Sequence, residues 1–293
     1  TKAIQKQPIT GTSLGGFPAA YAETQAEYMA SGKATEQEKL VAGCPEYAFN
    51  EYLQIGLEQG LVGLALFIGW LGLLFYKGIK NKRYACCGGL MSLAIFAFSS
   101  YPLQLPEFWV VLIFLGVMSV TPDKDEIREN QAESNGHRWG KQIFFMGIAI
   151  LGIGLFWMQK DHYKAYQQWN KAQMFYNNKA YEAALEVYEP LYPLLKHKPE
   201  FLFEAAQSLS KTGQYEKANE YLERAVLLSS DPMLYYVMAK NEQCLGEYRQ
   251  AEKHLLHAID ILPERIYPYY LLMNLYTEPS YFQPAKLKMA IDS

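Results

Sequence analysis

The sequence predicts an all-α protein in two parts, a polytopic transmembrane helix bundle followed by an α-solenoid. Three observations lead there. Of 293 residues, 50% are hydrophobic and only 19% charged, a balance that leans away from an ordinary soluble enzyme. Nearly all the long apolar runs precede Gln159, whereas the stretch after it mixes Lys, Glu, Gln, Tyr and Ala in the manner of soluble helices. That later stretch also repeats itself at a fixed spacing. The expected division is an external loop at 1–54, a region of about four spans at 55–158 and a repeat domain at 159–293. A net charge of -3 without a dense basic stripe excludes nucleic acid as a partner.

The spanning segments are read at 55–76, 84–100, 107–120 and 143–158, each near or just below the ~20 residues that a bilayer core requires. The third is short, and its Pro-bounded entrance, Tyr101-Pro102-Leu103-Gln104-Leu105-Pro106, is expected to lie in the interface with Trp109 near headgroup depth. Orientation follows from the loops. Lys77, Lys80, Lys82 and Arg83 crowd the first connection with no acidic residue, while the connection at 101–106 has no charge at all. Positive loops stay in the cytoplasm. The first connection is therefore expected inside, together with the 121–141 loop bearing Lys124, Arg128, Arg138 and Lys141. Residues 1–54 and everything after Met158 then lie outside, in the periplasm of a bacterial inner membrane. Cys86 and Cys87 are adjacent in an apolar run, and Cys44 and Cys244 stand far apart, so all four read as small buried hydrophobes rather than a disulfide framework. The chain opens at Thr1 with no Met and no leader-like run, and is expected to start mid-protein.

The repeat is explicit. Gly213-Gln-Tyr215-Glu-Lys-Ala218, with Leu222 and Ala225, recurs as Gly246-Glu-Tyr248-Arg-Gln-Ala251, with Leu255, Ala258 and Pro263. An earlier copy is Lys179-Ala-Tyr181-Glu-Ala-Ala184 with Tyr188, and a later, shortened one is Ser280-Tyr-Phe282-Gln-Pro-Ala285 with Met289. A period of about 34 residues is the tetratricopeptide spacing. Gly turns the chain between paired helices, Tyr plugs the turn and Ala admits close approach. Such an array presents a concave surface that either binds a protein partner or braces its own membrane domain.

Chemistry is expected just before the first span. In a continuous helix Gly56, Gly60 and Gly63 would form one smooth ridge for a neighbouring helix, while Glu51, Gln54 and Glu58 would share another face. Carboxylates at the external end of a spanning helix are costly against lipid, so they should face the bundle or a watery cavity. His254 and His257 lie three apart on a repeat helix without a third ligand in view, and read as an exposed helix face. Gly11-Thr-Ser-Leu-Gly15-Gly16 lacks the Lys and Ser/Thr order of a phosphate loop.

The motif Asn50-x-x-Leu53-x-x-x-x-Glu58-x-Gly60-x-x-Gly63-Leu64, preceded by Ile9-Thr-Gly11-Thr-Ser-Leu-Gly15-Gly16-Phe17, resembles the C-terminal signature of the O-antigen ligase and O-antigen polymerase superfamily. The resemblance covers roughly residues 8–120. It implies metal-independent transfer of a glycan from an undecaprenyl-diphosphate carrier to a hydroxyl on a lipid or protein acceptor, at the periplasmic face and with no cofactor. Asn50, Gln54, Gly60 and Gly63 would then position the acceptor or the motif. Family members carry His immediately before the Asn, where this chain has Phe49. A phenyl ring takes no proton, so Glu58 or Glu51 becomes the candidate base. The family also uses cations on the departing diphosphate. The first arginine here is Arg83, on the expected cytoplasmic side, so such arginines are expected upstream of Thr1. The other class of function is a non-catalytic membrane scaffold whose repeats recruit envelope-assembly partners.

Overall fold

The computed structural model describes residues 2–121, 146–147, 150–154 and 156–292, and no strand occurs among them. The 121–141 loop, with Lys124, Arg128, Arg138 and Lys141, lies almost wholly outside the described residues, as does part of the fourth apolar segment at 143–158. The chain forms two compact units. One comprises Ala3–Leu14 and Tyr47–Lys160, the other Gly15–Glu46 and Asp161–Ser293.

The first unit is apolar. After the short α1 (Lys2–Lys6) and a turn-rich crossing segment come α4 (Glu51–Glu58), α5 (Gly60–Lys80), α6 (Tyr84–Ser99) and α7 (Pro106–Val120); α2 (Phe17–Ala30) and α3 (Glu36–Leu40) belong to the other unit. The three long helices pack through Leu74, Leu90, Leu93 and Leu112, with Leu71, Phe75, Leu103, Phe108 and Leu115 around them. Small residues bring the backbones close. A Cβ added at Gly78 would stand 2.5 Å from the Cys87 sulfur, and one at Gly116 would stand 3.3 Å from a Leu74 methyl. Asn81 donates from Nδ2 to the carbonyls of Ser119 and Val120, tying together the ends of α5 and α7 where Lys77, Lys80, Lys82 and Arg83 cluster. Away from that thin core the helices turn large apolar side chains outward. Leu66, Phe98, Val110 and Phe114 are all more than 60% exposed. Among the described residues one helix, α5 with 21 residues, is long and apolar enough to cross a membrane; α6 and α7 are apolar but shorter.

The second unit has the opposite construction. Paired helices α8 (Lys160–Asn177) and α9 (Tyr181–Leu195), α10 (Pro199–Lys211) and α11 (Tyr215–Val226), α12 (Met233–Leu245) and α13 (Tyr248–Ile261), then α14 (Ile266–Tyr276) and α15 (Pro284–Asp292), stack as a helical-repeat array. The small positions expected to admit close approach do so: Ala184, Ala218, Ala225 and Ala258 are fully buried, with Phe201, Leu202 and Leu222 beside them. The first three intra-pair turns share one geometry. Lys179, Gly213 and Gly246 all have left-handed φ, of 60°, 82° and 79°. In each turn the following residue donates back to a carbonyl five residues earlier: Ala180 to Phe175, Gln214 to Leu209 and Glu247 to Glu242. The fourth turn differs. Phe282 is exposed, and Tyr281 takes the packing role by stacking on Tyr248 at 5.5 Å. Phe282 is extended, with ψ 117°, and the last helix starts after it at Pro284, whose ring disfavours helical backbone in the residue before it.

Residues 15–46 complete this unit. Helix α2 lies along α13, where Ala22 and Ala26 are buried against Ile261 and Leu262, with Ala42, Cys44 and Tyr235 at the margin. Helix α3 carries a reciprocal cap, in which Thr35 accepts from the Glu38 amide while Glu38 accepts from the Thr35 amide. No disulfide joins the cysteines, and none is fully buried as expected: Cys44, Cys86 and Cys87 are half-buried, and Cys244 is exposed close to Tyr215.

Candidate functional site

The segment expected to be one spanning helix is two. Helix α4 ends at Glu58, and the chain turns through Gln59 into Gly60, whose φ is +70°. The reason is a backbone crossing. Residues 8–13 run over the end of α4: the amides of Thr12 and Ser13 donate to the carbonyls of Leu57 and Glu58 at 2.9 and 3.0 Å, and the Leu61 amide donates to Pro8 at 2.8 Å. These contacts satisfy carbonyls that a helix end leaves open. A Cβ at Gly11 would meet the Glu58 carbonyl oxygen at 2.3 Å, and one at Gly60 would meet the Ile9 oxygen at 2.1 Å, so both positions exclude every other residue. Gly60 therefore serves a chain crossing and not a ridge between helices. Gly63 faces its own preceding turn, 2.5 Å from the Gln59 Cβ.

Asn50 caps α4. Its Oδ1 accepts from the Leu53 amide at 3.0 Å, and its Nδ2 donates to the Phe98 carbonyl of α6 at 2.8 Å. Tyr52 reinforces this with a 2.9 Å bond to the Ala94 carbonyl. Glu51, Gln54 and Glu58 do share one face and all three are buried. They do different things. Glu51, only 1% exposed, accepts from the Leu103 amide at 2.7 Å and from the Gln104 side chain at 3.3 Å, and so holds the turn between α6 and α7. Burial pushes its carboxyl above the usual glutamate value, and these two donors, with the Gln104 amide, pull the other way. Gln54 accepts from the Ala48 amide at 3.1 Å and donates to Glu58 Oε1 at 3.3 Å. Glu58 is thus oriented by an amide that also reads the incoming loop.

Phe49 is strained and outward: its φ is +50° and 59% of its surface is exposed. Its ring meets Tyr101 edge-on at 5.1 Å, and Tyr47 stacks on the same Tyr101 at 5.2 Å. Trp109 donates to the Leu103 carbonyl at 2.6 Å, closing the turn that Glu51 holds.

In the repeat unit, polar side chains join successive inner helices. Trp169 and Gln173 of α8 donate to Glu204 of α10 at 2.7 and 2.8 Å; Tyr176 donates to Gln207; Ser210 donates to Asn241 at 2.5 Å; and Gln243 donates to Glu278 at 2.6 Å. Sequence reasoning missed Glu204 and the fully buried Asn241, because burial of a lone polar residue on an amphipathic helix shows only once the neighbouring helix is in place. Beyond this ladder an open groove of about 400 Å³ is lined by Lys240, Gln243, Tyr267, Tyr270 and Asn274. His254 and His257 are half-hidden rather than freely exposed: His254 faces the buried Glu242 at 2.9 Å, and His257 faces Glu23 of α2 at 3.5 Å. No group of three or more side chains suited to a metal ion occurs among the described residues.

A family model described as anaphase-promoting complex, cyclosome, subunit 3 matches residues 177–258, from the end of α8 into α13. Solved structures similar to the chain include the MamA protein (18% identity, TM-score 0.36, covering 38% of this chain). A MamA fragment from Desulfovibrio magneticus RS-1 has 18% identity and a TM-score of 0.39, covering 44% of this chain and 70% of its own. The Yersinia enterocolitica type III secretion chaperone SycD in complex with a peptide of the translocator YopD has 19% identity and a TM-score of 0.35, covering 43% of this chain and 91% of its own. The chain spans 62% of the length of the first of these. No curated protein sequence matches the chain. The second unit is a tetratricopeptide-like helical-repeat domain.

Proposed function

We propose that the chain is a membrane glycan ligase of the O-antigen ligase type, with its repeats on the same side of the membrane as the loop before α4. The observation that carries the reading is the meeting of the two signature stretches. Ile9–Ser13 and Leu57–Leu61 cross at Gly11 and Gly60 beside the buried row of Glu51, Gln54 and Glu58. In the reaction the acceptor oxygen attacks the anomeric carbon of the carrier-linked glycan and gives its proton to a carboxylate. The glycosyl bond to the diphosphate breaks, and its electron pair leaves with the diphosphate. Glu58 suits the base better than Glu51, whose two oxygens already hold the α6–α7 turn.

Placement in a bacterial inner membrane is supported by the outward apolar faces of α5–α7 and by the concentration of basic residues at one end of them. Because residues 15–46 and 161–293 fold into one unit, the chain must cross an even number of times between them. On this reading α5, α6 and α7 would supply an odd number, and the fourth span expected from the sequence at 143–158 would supply the remaining crossing.

The test is glycan transfer in a complementation assay with protein level measured in the same cells. Glu58→Gln keeps size and hydrogen bonding and is expected to lower transfer about a hundredfold at unchanged abundance. Parental transfer by that variant would remove Glu58 from the chemistry. A second reading, a scaffold that recruits envelope-assembly proteins through the Tyr267 and Tyr270 groove, is favoured by Phe49 in the place of the family's His. It predicts no transfer from the parental chain, with loss of partner capture on Tyr270→Ala.

A further inference from the structure

The loop before the candidate site does not end where the apolar unit ends: it leaves that unit at Leu14, folds as part of the repeat unit and returns at Tyr47. Its hold on the repeats is specific. The α2 face that meets α13 is built from Ala22 and Ala26, small enough for the helices to approach closely, with Ile261 and Leu262 opposite. Between the two alanines in space stands Gln25, 9% exposed, whose amide donates to the Ile261 carbonyl at 2.8 Å and to the Gly43 carbonyl at 3.1 Å. The first bond fastens α2 to the end of α13, and the second fastens the returning loop to α2. At the rim Glu23 faces His257 at 3.5 Å, and Tyr235 packs against the His257 ring at 4.8 Å.

We infer that the end of the third repeat is a helix-docking surface whose resident ligand is residues 17–30 of the same chain, and that this docking is a latch on the loop flanking the candidate site. The interface has the marks of a latch more than of a core. Its apolar centre is four buried residues, its specificity comes from one polar side chain reading two carbonyls, and its rim is polar. The connection from Ser31 to Val41 is largely exposed and passes through Gly32, whose left-handed φ of 67° makes a free turn with nothing near it. Detaching α2 therefore uncovers little of the repeat core, while it frees the whole stretch between Gly11, pinned over the end of α4, and Ala48, read by Gln54. The repeats would control the loop that leads into α4 by holding or releasing α2. The latch itself stands independently of the chemistry proposed for the apolar unit, while its effect on transfer rests on that reading.

Cys44 is a native reporter. It lies in the latch, where burial, with Asp231 second, pushes its thiol up to about 11, and Cys244 is exposed on the same unit as an internal reference. The measurement is the alkylation rate of each thiol by N-ethylmaleimide in the membrane-embedded full chain, resolved by peptide mass. Cys44 is expected to react at least about tenfold more slowly than Cys244, because its reaction awaits opening of α2. Gln25→Leu and Ala26→Glu should each raise the Cys44 rate about tenfold or more, with the Cys244 rate and the helical melting curve unchanged. Equal parental rates, or no response to either variant, overturn the latch. So does a response in which Cys244 accelerates in step with Cys44, since α2 would then be an inseparable part of the repeat core. Under the same conditions glycan transfer should change in both variants while Glu58 is intact. A latch that opens without altering a measurable parental transfer overturns the control and leaves the ligase reading standing, whereas absent parental transfer counts against the ligase reading alone.

Discussion

The two units of this chain bury opposite things. In the repeat unit Phe201, Leu202, Leu222 and four alanines are sealed inside, and most exposed positions are polar or charged. In the apolar unit the residues hidden from the surface include Glu51, Gln54, Glu58 and Ser119, while Leu66, Phe98 and Phe114 point outward. A water-soluble fold gains by hiding apolar area. A fold in hydrocarbon gains nothing from that, and must hide its polar groups and pack through small residues instead. Gly78, Gly89 and Gly116 are the packing device of the apolar unit, as Ala184, Ala218 and Ala258 are that of the repeats. The same principle of close approach serves both units.

The contrast is broken most directly by removing a large side chain from each unit. Phe201→Ala leaves a cavity in a sealed core and is expected to destabilise the repeat unit by about 3–5 kcal/mol. Phe114→Ala, at an outward position, should leave the melting of the detergent-solubilised chain within about 0.5 kcal/mol of the parent. Comparable losses at both sites would mean that the outward face of α7 is buried against protein.

Charge sharpens it next. Leu66→Arg places a guanidinium on the outer face of α5 at a cost of about 2.5–3.5 kcal/mol in a bilayer, and should cut the membrane-integrated fraction in alkaline extraction. Leu227→Arg, at a site of similar exposure on the repeat unit, should change melting by less than about 0.5 kcal/mol. Orientation is checked in the same preparations by labelling from outside: Ser31→Cys and Thr212→Cys are expected to react and Lys80→Cys to be protected. Lys80 is exposed beside Asn81, which is itself bonded to α7 and would be a poor reporter.

A smaller effect sits where the third repeat meets the fourth. Burial alone would raise the carboxyl of Glu252, but Lys286 and the hydroxyls of Tyr281 and Tyr276 together hold it below the usual glutamate value of 4.5. A carboxyl depressed in the folded state adds stability that is full above its unfolded value and disappears as pH falls through its folded one. Melting of the repeat unit should therefore weaken below about pH 4.5, and Glu252→Gln should flatten that dependence at a cost on the order of 1 kcal/mol at neutral pH. An acid limb that persists in the variant would assign the dependence to another group.

The smallest change is a gain. Lys179 occupies the left-handed position that Gly213 and Gly246 fill in the next two turns. Lys179→Gly should raise stability by about 0.5–1 kcal/mol, seen as a higher melting temperature of the first repeat. A loss would show that the Lys179 side chain contributes more than its backbone strain costs.

The helical class, the apolar and polar halves and the repeat period were legible from residue order, because each is written in spacings within one helix or between neighbours in sequence. Gly213 and Gly246 announced their turns, and Ala218 and Ala251 their close contacts, since a local turn and a local face need no distant partner. What only the tertiary structure decided was set by partners far away in the chain. The break at Gly60 exists because residues 8–13 cross there, and Glu51 is a brace for the turn at Leu103, more than fifty residues away. Gln25 reads a carbonyl 236 residues further along. An exposed-looking glutamine on a weakly amphipathic helix carries no mark of that bond, because the carbonyl that buries it lies on a surface that forms only when the third repeat has folded.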